Sequence, residues 1–420
     1  MRAPALLAPP SDPDERAKRR LLAMLATAPD ANAAVASLPL QPAEWHRLAA
    51  IAIDHRLEPL LCGSLRDGRG GRDVSPALAA DWETAWRHAG IRALGLRTTL
   101  QKLAATLDAA GIAYAATKGA RLAWRAYASP ALRPMRDLDV LVARNDALAA
   151  RATLLVAGFT DADADGSPGP VPLDHALAHD KHLPPLFDTT TGIMVELHTR
   201  LLSKPAPGPR DPFDTAGLLA DRETFAIAGQ PVAFVAPTET LLYLVVHALV
   251  EHRCDNGPQV IDDAAAMIAH EAIDWPRLAA LAEGAGWARA LVLVLALARR
   301  QHGSALPPGV ESSPAVPDPA LLDDAALLML QDFASRADLA LRLDLARPDA
   351  ASRSRPLRSR AFPPRHVLAN WAGKPVDARG LALAWPGWLL SRLRRTAAAA
   401  TDAAARSDLA RARRLDDWLR

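Results

Sequence analysis

The sequence predicts an α+β fold, a small mixed β-sheet core flanked by N-terminal and C-terminal helical regions, and three observations carry that prediction. Alanine and leucine dominate while aromatic residues make up only 5%, a balance that favours helices around a small sheet. Short β-type runs alternate with helical ones between residues 111 and 235, whereas apolar residues before and after recur at helical spacing. With 420 residues, half of them hydrophobic, the chain can bury a substantial core and divide into two or three structural units.

Residues 1–19 are rich in Pro and charge and are expected to be loose. Residues 20–110 show helical periodicity, clearest over 43–55 and 77–107, and form an N-terminal helical domain. The core is expected over 111–235. There, Gly111-Ile-Ala-Tyr-Ala-Ala-Thr117 reads as a strand running into Lys118-Gly119, followed by a helical stretch over 120–127. A helical domain over 236–301 should close one wall of a cleft. Thr238 is expected to cap a helix over 241–250, a second helix follows over 262–270, and Asp274 with Pro276 opens a third towards Arg300. Pro, Gly and Ser mark 302–320 as a linker, and 321–420 is a basic C-terminal helical region.

The most informative stretch is 117–142, where Asp137 and Asp139 open the apolar run Leu138, Val140, Leu141, Val142. Residues two apart on a strand project to one face, so the two carboxylates stand together. Like charges held this close call for a hard cation, Mg²⁺ or Mn²⁺, which also binds phosphate oxygens. A third acid comes from the strand pattern at 192–198, which puts Glu196 and His198 on one face and Val195 and Leu197 on the other. Should that strand lie beside the first, three carboxylates converge. Gly119 at a helix entrance admits a phosphate to backbone N–H groups, and Lys118, Arg133 and Arg136 add positive charge nearby. The bland alternatives are Asp137 paired with Arg133 or Arg136, a solvated Asp139, and Glu196 paired with Lys181.

Thr117-Lys118-Gly119, Arg133-Pro-Met-Arg-Asp-Leu-Asp-Val-Leu-Val142, His182-Leu-Pro-Pro185 and Val195-Glu-Leu-His198 resemble the motifs of the uncharacterised bacterial nucleotidyltransferase family within the DNA polymerase-β-like superfamily. The resemblance continues through Pro237-Thr-Glu-Thr-Leu-Leu-Tyr-Leu, His247, His252 and Asp262, and spans about residues 40–300. It implies a metal-dependent enzyme that transfers a nucleoside monophosphate from an NTP, ATP by default, to an acceptor hydroxyl or phosphate and releases pyrophosphate. It also implies catalytic and metal-binding roles for Asp137, Asp139 and Glu196, which would hold two Mg²⁺ or Mn²⁺ ions. Lys118, Gly119, Arg133 and Arg136 are expected at the nucleotide, and His182, His198 and His247 at the substrate. Lys118-Gly119 stands where the superfamily has Gly-Ser. The acceptor is open: a small molecule, a sugar phosphate, a peptide or a protein, with nucleic acid not favoured. The rival readings are a metal-dependent glycosyltransferase using a sugar nucleotide and a non-catalytic nucleotide-binding protein on the same scaffold.

Other features weigh less. Two cysteines, Cys62 and Cys254, make no disulfide framework and fit a reducing cytoplasm. The longest apolar run, 290–298, is too short to span a bilayer, and the N-terminus lacks a signal-peptide core. Residues 341–420 hold 17 Lys/Arg against 7 Asp/Glu, within a chain whose net charge is +2. Trp385, Trp388, Leu389, Leu390 and Leu393 argue that this basic section is scaffold. Asp161, Asp163, Asp165 and Gly166 imitate half a calcium loop, but Pro172 occupies the position that needs Glu. His175 and His179 have no accompanying acid or thiol cluster and are expected to be ordinary helix or loop residues.

Overall fold

The computed structural model describes residues 12–161, 172–204, 206, 211–307, 316–333, 336–346, 363, 368, 371–373, 378–401 and 403–420. Its fold is α+β. Seven strands, β1 (Tyr114–Ala116), β2 (Asp137–Val142), β3 (Phe159–Asp161), β4 (Leu186–Asp188), β5 (Met194–His198), β6 (Glu223–Ile227) and β7 (Gln230–Phe234), form one mixed sheet ordered β3-β4-β5-β2-β1-β7-β6. The β2–β5 and β1–β7 pairs are parallel and the others antiparallel. β6 and β7 are joined through Ala228-Gly229, both at positive φ, the twist that a two-residue hairpin turn requires.

Side-chain alternation divides the sheet into two faces. Leu138, Val140 and Val142 of β2 join Val195 and Leu197 of β5 in one core cluster. The long helix Pro76–Ala109, capped by Ser75, lies on that side and contributes Leu96, Leu100, Leu103 and Leu107 at three- and four-residue spacing. Leu141 faces the other side with Ala115 and Val235, and meets the helices Pro237–Val246, Gln259–His270 and Ala288–His302. The acids Asp137 and Asp139 share this second face with Leu141.

Several local expectations need correction. The first helix runs Pro13–Leu25 from an Asp12 cap, inside the stretch expected to be loose, and buries Ala17 and Lys18. The helix after Lys118 is Gly119–Arg125, shorter than expected. Thr238 does not cap the next domain's helix, which starts at Pro237 after Ala236. Its hydroxyl instead accepts from the Asp274 N–H, tying together the starts of two helices. Asp274 itself does cap Trp275–Gly284, by accepting from the Arg277 N–H. The calcium-loop imitation lies largely outside the described residues, as does much of the linker.

The last helix, Ala403–Leu419, packs back on the body rather than standing free. Leu409, Ala412 and Leu415 enter the core cluster beside the helix Pro319–Leu328, while Arg414 Nε lies 2.7 Å from Asp324. Buried Lys18 Nζ lies 2.8 Å from Asp14 and 3.7 Å from Asp408 of that last helix. In the preceding helix, Ala378–Thr401, Trp388 is buried whereas Leu390 and Leu393 are exposed. Among the described residues no helix is long and apolar enough to cross a membrane.

Candidate active site

Parallel pairing of β2 with β5 sets Asp137 opposite Met194, Asp139 opposite Glu196 and Leu141 opposite His198. Because side chains alternate, Asp137, Asp139, Glu196 and His198 all project from one face. His198 Nε2 lies 2.7 Å from Asp139 Oδ1 and 3.3 Å from Glu196 Oε2. His182 forms an isolated bridge with His198 and brings its Nε2 to 3.8 Å from Glu196. Asp139, Glu196 and His198 each offer one atom within 4.8 Å of the others. Asp137 stands at the edge of this tight group.

Lys118 reaches the same point from the β1 side. Its Nζ lies 3.1 Å from Asp139 Oδ1 and 5.4 Å from the centre of the Tyr243 ring. The Thr117 N–H donates to the Asp139 carbonyl, which holds the turn against β2. Lys118 adopts φ 50°, ψ −123°, a conformation that L side chains rarely take, and Gly119 follows it into the helix. A Cβ on Gly119 would stand 2.5 Å from Met135 Sδ and 2.8 Å from its Cγ, so this glycine makes room for a buried methionine.

These contacts sort the charges. Burial and the neighbouring Asp139 and Glu196 push the Asp137 carboxyl up, only partly offset by Lys118 and Arg136. Burial acts against Asp139 too, but Lys118 and His198 outweigh it and hold that carboxyl far below the usual carboxylate range. Glu196 is lowered, since His198 and His182 overcome its burial. Burial disfavours a charged His198, yet the two carboxylates win and raise its pKa. Lys118 is likewise raised despite burial, chiefly by Asp139. Neither nitrogen of the fully buried His198 ring has an aligned hydrogen-bond partner among the described residues.

The alternatives weighed for the acids fall away. Arg133 binds Asp263 through two contacts of 2.6 and 2.9 Å, beside the Tyr127 hydroxyl, rather than Asp137. Lys181 sits 3.4 Å from Glu251 rather than on Glu196. Arg136 is exposed at the Asp137 end of β2. Helical counting separates His247 from His252, but a π-helical turn over His247–Glu251 brings their rings to 4.4 Å. The His247 and Tyr243 rings are 5.6 Å apart, so Lys118, Tyr243 and His247 form a continuous wall. His247 Nδ1 is 3.2 Å from Glu251, and burial lowers its pKa to about 3. The His175 and His179 rings lie 4.6 Å apart, tilted to each other, on the helix Leu173–His179 and belong to no metal-binding group among the described residues. Sequence reasoning gave Tyr243 no role, although it lies inside the motif beginning at Pro237, and weighed Glu251 only as a misplaced zinc-protease acid between His247 and His252.

The α+β sheet carries an Asp-Glu-His cluster at one pair of parallel strands, backed by a half-buried lysine, an arrangement that could hold a metal ion. Residues 41–303 match the model of a family described as an uncharacterised nucleotidyltransferase. The chain belongs to that family, whose class of activity is nucleotidyl transfer from an NTP. No curated protein matches it.

Proposed function

We propose that the protein is a metal-dependent nucleotidyltransferase of the DNA polymerase-β-like superfamily, transferring a nucleoside monophosphate from an NTP to an acceptor hydroxyl or phosphate. The observation that carries this reading is the β2–β5 register, which lines up Asp139 with Glu196 and brings His198 to 2.7 Å from Asp139. Two carboxylates and an imidazole suit a divalent cation, and the imidazole favours Mn²⁺ over Mg²⁺. Asp139, Glu196 and His198 would hold the ion, with Asp137 at its edge. Bound there, it would neutralise phosphate charge in the displacement.

The remaining work falls to the chain itself. Lys118 supplies a fixed positive charge beside Asp139, where it can also meet a phosphate. Tyr243 and His247 continue the wall that begins at Lys118, and there His247 stays neutral and can accept a hydrogen bond from a substrate. Glu196, partly exposed beside the cluster, is the candidate to orient the acceptor hydroxyl. Two buried free thiols, Cys62 and Cys254, suit a reducing cytoplasm.

The test is direct. Purified protein should bind Mn²⁺ in a calorimetric titration, and His198→Gln should weaken Mn²⁺ more than Mg²⁺. With α-labelled ATP, CTP, GTP or UTP and candidate acceptors, label should transfer and pyrophosphate should appear only with metal. Equal Mn²⁺ affinity in wild type and Asp139→Asn would refute the metal site.

A further inference from the structure

We propose that Glu251 is a positioning residue for His247: it holds the imidazole with its proton on Nδ1, so that Nε2 presents a lone pair and takes a hydroxyl of a substrate. What that hydroxyl does for the reaction rests on the nucleotidyltransferase reading above. Both residues lie in the π-helical turn His247–Glu251, which the His252 N–H closes by donating to the His247 carbonyl at 3.0 Å. Such wide turns interrupt regular helical hydrogen bonding and occur mostly at functional sites. Here the turn sets Glu251 Oε2 3.2 Å from His247 Nδ1.

Three segments converge on the Glu251 carboxylate. The Ser203 N–H, in the chain leaving β5, donates to Oε1 at 2.7 Å, and Lys181 Nζ lies 3.4 Å from Oε2 beside the His247 contact. Burial works against a charge on this carboxylate, but His247, the Ser203 N–H and Lys181 outweigh it and hold the group well below the usual range. An ionised carboxylate only accepts hydrogen bonds, so the ring nitrogen facing it carries the hydrogen. Burial lowers the His247 pKa to about 3, which leaves the ring neutral at pH 7 with a single N–H. With that hydrogen on Nδ1, Nε2 is an acceptor.

The acceptor is unspent. His247 Nε2 makes no hydrogen bond among the described residues, and it is not sealed inside the protein either. One tyrosine separates the ring from Lys118, since Tyr243 lies 5.6 Å from the His247 ring and 5.4 Å from Lys118 Nζ. The Tyr243 hydroxyl donates to the Leu201 carbonyl at 3.0 Å and is already engaged. The wall therefore presents a positive charge at one end and a lone pair at the other. A phosphate oxygen suits the charge but brings lone pairs of its own to Nε2, whereas a hydroxyl brings a hydrogen. Two sources share this chemistry, the ribose of the nucleotide and a polyol acceptor.

The readout is the nitrogen NMR spectrum of full-length protein labelled at histidine, with His247→Phe identifying the signals. Wild type should show a protonated Nδ1 and an unprotonated Nε2. In Glu251→Gln the amide oxygen can still accept from the Ser203 N–H while its NH₂ meets Nδ1, so the proton should move to Nε2. A wild type protonated at Nε2 overturns the proposal, whether or not the variant folds. ATP, its 2′,3′-dideoxy analogue, glucose and inorganic phosphate are then added separately with Mg²⁺. A shift of Nε2 with ATP but not with the dideoxy analogue assigns the hydroxyl to the ribose, and a shift with glucose but not with ATP assigns it to the acceptor. The probe that acts should bind about tenfold more weakly to Glu251→Gln, and unchanged affinity counts against the positioning role. Equal shifts from ATP and the dideoxy analogue with none from glucose, a response to phosphate alone, or no response at all would each overturn the hydroxyl assignment. ATP that fails to bind while glucose moves Nε2 defeats the nucleotidyltransferase reading and leaves this one standing.

Discussion

Lys118 Nζ rests 3.1 Å from Asp139 Oδ1, and the two residues leave adjacent antiparallel strands to meet inside the protein. A positive charge is thus built against the carboxylate that should matter most for a cation. Before any ligand arrives, Asp139 is stabilised as an anion and Asp137 is not.

That difference predicts opposite effects of one substitution at neighbouring acids. Asp139→Asn leaves the Lys118 charge buried without its partner and should cost about 3 kcal/mol in urea unfolding with EDTA present. Asp137→Asn removes a carboxylate that its neighbours repel, so the metal-free protein should be as stable as wild type or slightly more so. Both should lose metal-dependent transfer. A lower urea midpoint for Asp137→Asn would contradict this account of the charges.

The Lys118 backbone gives a second test. Lys118→Ala and Lys118→Gly both delete the ammonium, but only glycine accepts φ 50° without penalty. The glycine variant should be more stable than the alanine variant by about 1 kcal/mol, and both should bind ATP more weakly than wild type. Equal stabilities would show that the turn carries no strain.

His247 ties stability to pH. Its pKa is about 3 in the folded protein against an ordinary 6.5, because burial disfavours the charged ring. As pH falls below 6.5 the unfolded chain gains a proton that the folded one does not, so stability falls until pH reaches the folded value. The slope should approach about 1.4 kcal/mol per pH unit between pH 6 and 4. His247→Phe should remove its own share of the slope and leave the share of buried His55, whose pKa is lowered to about 4, as measured by urea unfolding across that range. An unchanged slope in the variant would assign the acid sensitivity to other groups.

The C-terminal helix should behave as scaffold. Leu415→Ala opens a cavity in the shared core and should cost about 2–4 kcal/mol, and deletion of 403–420 should lower solubility by uncovering the apolar side of the helix Pro319–Leu328 on which it packs. A truncated protein with the full-length melting temperature would mean that this helix is dispensable to the fold.

The central strands and the shared face of the acids could be read from the sequence because both follow from a two-residue period. Alternation alone puts Asp137 with Asp139 and Glu196 with His198, and it separates Val195 and Leu197 from them. The pairing partner of Arg133 could not be read. Asp263 lies 130 residues away, and its neighbour Asp262 is equally acidic but pairs with His302 instead. The closeness of His247 and His252 was hidden for another reason. Five-residue spacing separates side chains on an α-helix and reunites them only when the turn widens, which local composition does not announce.

The β2–β5 register makes the length of one short connection as consequential as any side chain. β4 ends at Asp188 and β5 begins at Met194, joined by a turn in which the Asp188 carboxylate accepts from Lys102, Thr99 and the Thr190 N–H. Adding or deleting one residue there would slide β5 by one position if the turn held its place. Val195 or Leu197 would then face Asp139, and Glu196 would be driven into the apolar layer under the long helix. Drift by insertion and deletion, tolerated in most surface loops, is closed to this one. Among related chains the spacing between these two strands should therefore vary less than the residues that fill it.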